Sequence, residues 1–133
     1  MIGLDTNVLV RYIVEDEPKQ TKIATDFISK NCSLDSPCLI GQISLCELTW
    51  VLESNYGQSR KKISLIIEKI LMVGELEVLN SEVAWKALND YKTSNADFSD
   101  HLLARKNESE GCEVTVTFDK KASKQPAFRL LKS

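Results

Sequence analysis

Short apolar runs alternate along the chain with stretches in which apolar residues recur at helical spacing. The first run, residues 1–4, ends at Asp5, and Val8, Leu9 and Tyr12 then follow at helical intervals, which predicts a strand, a turn and a helix. Further helices are predicted from Pro18, over 44–56, over 59–73, from Ser81, and from Asp97 or Ser99 towards Gly111, and further strands over 38–40, 76–79, 114–118 and 128–131. This alternation predicts an α/β fold with a mostly parallel central sheet flanked by helices.

Composition fits one globular domain over residues 1–133, since 43% of the residues are hydrophobic and 27% are charged. No apolar run approaches the roughly 18 to 20 residues that span a bilayer. The first charge, at Asp5, comes too early for a signal peptide. We therefore expect a cytoplasmic protein without a membrane segment.

The four cysteines form no C-x-x-C pair, and His101 is the only histidine. Neither a zinc site nor a disulfide framework is indicated. The cysteines are therefore predicted to be small buried hydrophobic residues. They are Cys32, Cys38, Cys46 and Cys112.

Charge is distributed unevenly along a chain whose net charge is −2. Residues 1–100 contain 10 Lys and Arg against 15 Asp and Glu, whereas residues 101–133 contain 7 against 4. The balance is therefore −5 in the first part and +3 in the second. This distribution permits a phosphate-bearing substrate without requiring one.

Acidic residues fall where predicted strands end and predicted helices begin. They are Asp5, Glu47, Asp97, Asp100 and Asp119. In an open α/β sheet these places face one crevice, where ligands bind. Carboxylates gathered there would repel each other without a cation, and hard oxygen ligands suit Mg²⁺ or Mn²⁺.

Each acid also has a purely structural interpretation. Ser44 and Glu47 have the spacing of a capping box, Asp97 could cap its own helix, and Asp5 and Asp119 could form turns. A threonine or serine nevertheless lies near every one of the four junctions: Thr6, Ser44, Ser99 and Thr117. This recurrence favours a shared site.

Four blocks carry a resemblance to a known family. They are Asp5-Thr6-Asn7-Val8-Leu9, Cys46-Glu47-Leu48, Asp97-Phe98-Ser99-Asp100 and Thr117-Phe118-Asp119-Lys120. In this order the chain resembles a PIN domain from Met1 to about Ala122, and more narrowly it is similar to the VapC toxins of prokaryotic toxin–antitoxin pairs.

The resemblance implies a metal-dependent endoribonuclease with an RNA substrate, a small protein antitoxin as partner and a homodimeric state. The implied catalytic residues are Asp5, Glu47, Asp100 and Asp119. The implied ligands for Mg²⁺, or for Mn²⁺, are Asp5, Asp97, Asp100 and Asp119. Asn7 and Thr117 match polar residues that line or brace the family's site, whereas Ser99 and His101 depart from its usual pattern.

Three other classes of protein share part of this pattern. A haloacid-dehalogenase phosphatase requires a second Asp where this chain has Asn7, and a receiver domain requires a lysine that residues 128–131 do not supply. The third is a catalytically inactive PIN-like binding module, which a complete acidic quartet disfavours.

Basic and aromatic side chains complete the candidates. Phosphate contacts are expected among Arg11, Arg60, Lys61, Lys62, Lys120, Lys121 and Lys124. Phe27, Trp50 and Trp85 lie on helical apolar stripes, which predicts that they belong to the core or to a dimer interface.

Overall fold

A computed structural model describes residues 1–132 and shows helices alternating with short parallel strands. The helices are α1 (Thr6–Val14), α2 (Pro18–Asn31), α3 (Gln42–Ser54), α4 (Arg60–Met72), α5 (Ser81–Lys92) and α6 (Phe98–Ser109). The strands are β1 (Cys38–Ile40), β2 (Leu76–Val78), β3 (Thr115–Thr117) and β4 (Phe128–Leu130), with a 3₁₀ turn at Ala122–Lys124. The predicted α/β class and parallel pairing are confirmed.

The backbone groups into two compact units, residues 1–81 and residues from Glu82 onwards, which we call the first and second units. In the first unit β1 and β2 pair in parallel, with Leu39 opposite Glu77. The predicted strand at residues 1–4 is reduced to one bridge, Gly3 to Leu39. The Leu4 N–H donates to the Leu39 carbonyl at 2.9 Å, and the Leu39 N–H donates to the Ile2 carbonyl at 2.7 Å. This pairing fixes the backbone directly before Asp5.

Apolar side chains of α1, α3, α4 and the strands form the core of the first unit. Its fully buried members include Leu9, Cys38, Ile40, Leu45, Leu48, Leu52, Ile63 and Ile67. Ser59 caps α4, since its Oγ accepts a hydrogen bond from the Lys62 N–H at 3.2 Å. Helix α3 ends before Gly57, whose φ of +60° suits a residue without a Cβ.

The second unit pairs β3 and β4 in parallel, and Ala104 on α6 packs in one apolar cluster with Ala122 and with Phe128 on β4. Tyr91 and Phe98 pack edge to face, with ring centroids 5.8 Å apart. Arg105 on α6 donates two hydrogen bonds to Asp90 on α5, at 2.7 and 2.9 Å. This forked ion pair joins the two helices.

The predicted start of α3 is wrong. The helix begins at Gln42, two residues before Ser44, because the extended residue Gly41 at the end of β1 serves as its N-cap. Ser44 is thus the third residue inside the helix, and no side chain caps this end. The predicted capping box between Ser44 and Glu47 does not form.

The prediction of four small buried thiols is also wrong. Cys32 and Cys38 are buried but form a disulfide, with their Cα atoms 5.2 Å apart, because the end of α2 lies beside the start of β1. Cys112 is exposed. A separation of six residues with no recognisable motif gave no indication of the pairing.

Two of the aromatic side chains on helical stripes lie outside the core. Trp50 is 65% exposed and Phe27 is 39% exposed, so neither belongs to the core, and their place in a dimer interface stays a prediction. The described part of the chain contains no helix with the length and apolar character needed to cross a membrane.

Candidate active site

In the first unit, Thr6 donates hydrogen bonds to both predicted acidic residues, Asp5 and Glu47. The Thr6 N–H donates to Asp5 Oδ1 at 2.8 Å, and the Thr6 hydroxyl donates to Glu47 Oε1 at 2.9 Å. Asp5 is also the N-cap of α1, so the helix start and the site residue coincide. Thr6 itself is 6% exposed, which makes its position well determined by packing.

Glu47 lies deeper in its helix than the sequence predicted. It is the sixth residue of α3 and therefore belongs to the second turn instead of the first. Because its carboxylate contacts Thr6 rather than the start of α3, its role is not that of a cap. In the sequence, Thr6 stands out only as a neighbour of Asp5, because a contact between two residues 41 positions apart leaves no local pattern.

In the second unit, Asp97 and Asp100 stand at the start of α6. Asp97 is the N-cap residue, yet its side chain makes no capping hydrogen bond. Asp100 lies in the first helical turn and accepts a hydrogen bond from the backbone N–H of Asp97. The Asp97 side chain therefore makes no hydrogen bond to the start of α6, and its Oδ1 lies 3.8 Å from the Lys121 Nζ.

Asp119 is held by the turn that follows β3. Its N–H donates to the Thr117 hydroxyl at 2.9 Å, and its Oδ1 accepts the N–H groups of Lys121 and Ala122 at 2.8 and 3.1 Å. Both acceptor contacts use Oδ1. The Thr117 hydroxyl thus helps to hold the turn that carries Asp119.

The pKa of Asp100 shows that the acids of the second unit interact. Burial raises its pKa above the usual value, and the negative charges of Asp97 and Asp119 raise it further. The hydrogen bond from the Asp97 backbone and the charge of Lys121 act in the opposite direction but are smaller. Three carboxylates facing one ammonium group leave an excess of negative charge, which a divalent cation would neutralise.

The donor set fits a hard cation, because every acid in it offers carboxylate oxygens. Among residues 1–132, however, no three His, Cys, Asp or Glu side chains already stand close enough to form a coordination sphere. Because like charges repel, a bound cation would be needed to draw such carboxylates into one coordination sphere. Mg²⁺ or Mn²⁺ therefore suits the chemistry of these residues.

Other residues singled out by the sequence have different surroundings. His101 is 3% exposed, and its Nε2 shares a hydrogen bond of 2.5 Å with the Ser94 hydroxyl, so it belongs to the core of the second unit. Asn7 and Ser99 are exposed. Lys120, Lys121 and Lys124 are exposed as well and follow Asp119 directly along the chain.

Comparison with protein families gives the class of the molecule. Residues 2–127 match the PIN domain, and the chain therefore belongs to the PIN domain family. Proteins with this domain are generally nucleases, and the nucleases among them generally use divalent metals. No curated protein sequence matches the chain.

Proposed function

We propose that this protein is a Mg²⁺- or Mn²⁺-dependent endoribonuclease in which Asp5, Glu47, Asp100 and Asp119 act together on an RNA phosphodiester. Asp97 is proposed as a further metal ligand beside Asp5, Asp100 and Asp119. The observation that carries the proposal is the placement of three carboxylates, Asp97, Asp100 and Asp119, at the start of α6 and in the turn after β3, with the Lys121 Nζ 3.8 Å from Asp97 Oδ1. Membership of the PIN domain family supports it independently.

Hydrogen bonds within the chain fix the positions of the acidic side chains. Thr6 fixes the orientation of Asp5 and Glu47 through its N–H and hydroxyl, and the turn at residues 119–122 fixes Asp119. A bound divalent cation would lower the pKa of its water and offset the charge that develops on the phosphate. Glu47, held by Thr6, is the proposed group that orients the attacking water.

Metal binding can be tested without any assay of cleavage. Adding Mg²⁺ or Mn²⁺ should raise the melting temperature, because a ligand that binds only the folded state stabilises it. Asp5→Asn in the first unit and Asp119→Asn in the second should each remove most of that rise. Glu82→Gln, an exposed acid on α5, is the matched control and should leave the rise unchanged.

The change in melting temperature also distinguishes a metal site that uses acids of both units from a metal site within the second unit alone. If only variants of the second unit lose the rise, the metal is held there alone, and Asp5 has another role. If no variant loses it, the acids are structural. Cleavage of a labelled RNA with and without EDTA then tests the reaction itself.

We further propose that the nuclease is the toxin of a VapC-type pair, restrained in the cytoplasm by a small protein antitoxin and active as a homodimer. The resemblance of the four acidic blocks supports this proposal. Expression of the chain alone should arrest bacterial growth, and Asp100→Ala should relieve the arrest while the protein stays folded. Normal growth with abundant folded wild-type protein would contradict the toxin role.

The competing function is a PIN-like module that binds RNA without cutting it. It predicts the same metal-induced stabilisation but no cleavage under any metal. The two functions therefore differ in a single measurement on the wild-type protein.

A further inference from the structure

The disulfide between Cys32 and Cys38 joins the end of α2 to the start of β1. Cys32 is the C-cap residue of α2, and its N–H donates to the Ile28 carbonyl at 2.9 Å. Cys38 is the first residue of β1, and its N–H donates to the Glu75 carbonyl at 3.0 Å. Both cysteines are buried. The disulfide is therefore a buried covalent connection between a helix and a paired strand.

Both of the connected elements shape a cleft of the first unit that Asp5 lines. Helix α2 contributes Ala24 and Phe27 to this cleft, and the segment before Asp5 contributes residues 2–4. Residues 2–4 are held by β1, because the backbone of Leu39 exchanges hydrogen bonds with them. The disulfide thus connects one wall of the Asp5 cleft to the strand that holds another wall.

Helix α2 has few other attachments to the core of the first unit. Of its 14 residues, only Ala24 and Ile28 are buried. Near its start, the Thr21 hydroxyl donates to the Arg11 carbonyl at 3.0 Å, and the Arg11 Nε donates to Gln20 Oε1 at 2.6 Å. The disulfide attaches the opposite end of the helix, so breaking it should free the C-terminal half of α2 more than the N-terminal half.

The turn between the two cysteines gives a reductant access to the sulfur atoms. Residues 33–36 are exposed. The Ser33 N–H donates to the Ser36 carbonyl at 3.1 Å, and the Ser36 N–H donates to the Ser33 Oγ at 3.0 Å. Opening a short exposed turn of this kind uncovers little apolar surface and costs much less than global unfolding. A reductant can therefore reach the disulfide while the core stays folded.

We propose that the Cys32–Cys38 disulfide is a reversible redox switch that controls the Asp5 cleft, and that the oxidised form is the one competent for cleavage. The functional part of this inference rests on the proposed function, which includes Asp5 in the active site. Disulfides of cytoplasmic proteins are usually transient or redox-sensing, and a reversible role suits a protein proposed to act there.

The switching step is thiol–disulfide exchange with a dithiol reductant. A thiolate of the dithiol attacks one sulfur, the bond between Cys32 and Cys38 breaks, and a mixed disulfide forms. The second thiol of the reductant then attacks the reductant's own sulfur in the mixed disulfide and releases the protein cysteine. Two electrons and two protons pass to the protein, which gains two thiols, and the dithiol becomes a disulfide.

Hydrogen exchange of the oxidised and reduced wild-type protein in EDTA tests the switch without any assay of cleavage. Reduction should accelerate exchange at residues 28–32, at Leu4 and at Leu39 roughly 10-fold more than at Leu48 and Leu52, which are fully buried on α3. Reoxidation should restore the original pattern. No acceleration, or an equal acceleration throughout the first unit, would overturn the switch, because the disulfide would then stabilise the fold as a whole without a selective effect on the cleft.

Cleavage of a labelled RNA in Mg²⁺ tests the functional consequence, at a temperature at which both redox states are folded. The reduced wild-type protein should cleave roughly 10-fold more slowly, because small displacements of groups in an active site have large effects on rate. Reoxidation should restore the rate. Equal rates for the oxidised and reduced protein would overturn the switch.

Two variants serve as controls for the reductant. The double variant Cys32→Ala with Cys38→Ala should cleave slowly with and without reductant. Cys112→Ser, which removes an exposed thiol of the second unit, should respond to the reductant as the wild type does. Because the main comparison uses two redox states of the wild-type protein, it does not depend on the folding of the double variant.

Failure of this inference is distinguishable from failure of the proposed function. A protein in which reduction selectively loosens residues 28–32, Leu4 and Leu39, but which cleaves no RNA in either redox state, retains the redox-controlled cleft and contradicts the nuclease. A protein that cleaves RNA at equal rates in both redox states contradicts the switch alone.

Discussion

Single residues decide whether the acids of this chain are structural or chemical. A carboxylate that only caps a helix is stabilised in its charged form by the N–H groups it binds. Asp100 is in the opposite situation, because burial and two neighbouring acids outweigh its one backbone hydrogen bond. The sequence indicated that these acids would gather, but their balance of charge and burial depends on how the turn after β3 lies against α6.

The raised pKa of Asp100 gives a pH dependence of stability for the metal-free protein. Between the ordinary aspartate pKa of 3.8 and the higher pKa in the folded state, the folded protein holds more protons than the unfolded chain. This residue's contribution to the free energy of unfolding therefore falls as the pH rises through that window. Asp100→Asn should remove this contribution and stabilise the metal-free protein at neutral pH by no more than about 1 kcal/mol, since the group is partly solvated.

The measurement is urea unfolding in EDTA at a series of pH values from 3.5 upwards. Asp97→Asn, which removes one source of repulsion, should shift the profile in the same direction as Asp100→Asn. A steeper loss of stability in Asp100→Asn than in the wild type would show that the carboxylate stabilises the fold.

Thr6 offers a second test on the residue scale. Thr6→Val keeps the shape of the buried side chain but removes the donor to Glu47, which should cost about 1 kcal/mol of stability and slow RNA cleavage. Thr6→Ser keeps the hydroxyl and should retain most of both. Full activity in Thr6→Val would mean that Glu47 needs no positioning, and the hydrogen bond of 2.9 Å would then be only structural.

At the scale of secondary-structure elements, the presence of the helices was predicted more accurately than the residues at which some of them begin. The apolar pattern was enough to predict a helix after Asp5, where α1 spans Thr6–Val14, and a strand over residues 38–40, where β1 lies. The start of α3 was predicted wrongly because a serine and a glutamate three positions apart are typical of a cap, whereas Gly41 takes that position directly after β1. The residue at which a strand ends is set by pairing with a strand that is distant in sequence. A local sequence pattern does not encode that pairing.

The two serines make a matched pair of substitutions. Ser59→Ala removes a hydrogen bond to the Lys62 N–H and should cost about 1 kcal/mol. Ser44→Ala, inside α3, should change stability by less than about 0.5 kcal/mol. Thermal unfolding of both proteins checks this, and an equal cost would restore the capping function of Ser44.

On the scale of the whole molecule, the family match spans residues 2–127 and so includes parts of both compact units. The class of fold followed from the alternation of elements, whereas the disulfide and the exposed Phe118 did not. Both depend on which segments meet in space: β1 with the end of α2 in the first case, and β3 with β4 in the second.

The disulfide should contribute measurably to stability. Joining Cys32 to Cys38 closes a short loop and restricts the unfolded chain, which the loop-entropy relation values at about 2 kcal/mol. A reducing agent should therefore lower the melting temperature of the wild-type protein and leave a double variant, Cys32→Ala with Cys38→Ala, unaffected. Cys112→Ser should respond to the reductant as the wild type does, and an unchanged wild-type melting temperature, with reduction verified by mass, would contradict the contribution.

The pairing of residues 2–4 with Leu39 has a consequence for the order of events during folding. Leu39 pairs with Gly3 and also with Glu77, so each contact closes a long loop before it contributes stability. Until β1 is in place, this pairing cannot hold the backbone before Asp5. We expect the amides of Leu4 and Leu39 to become protected from hydrogen exchange together and late in refolding, so that Asp5 takes up its final position only after β1 has paired. Protection of Leu4 before Leu39 would contradict this order.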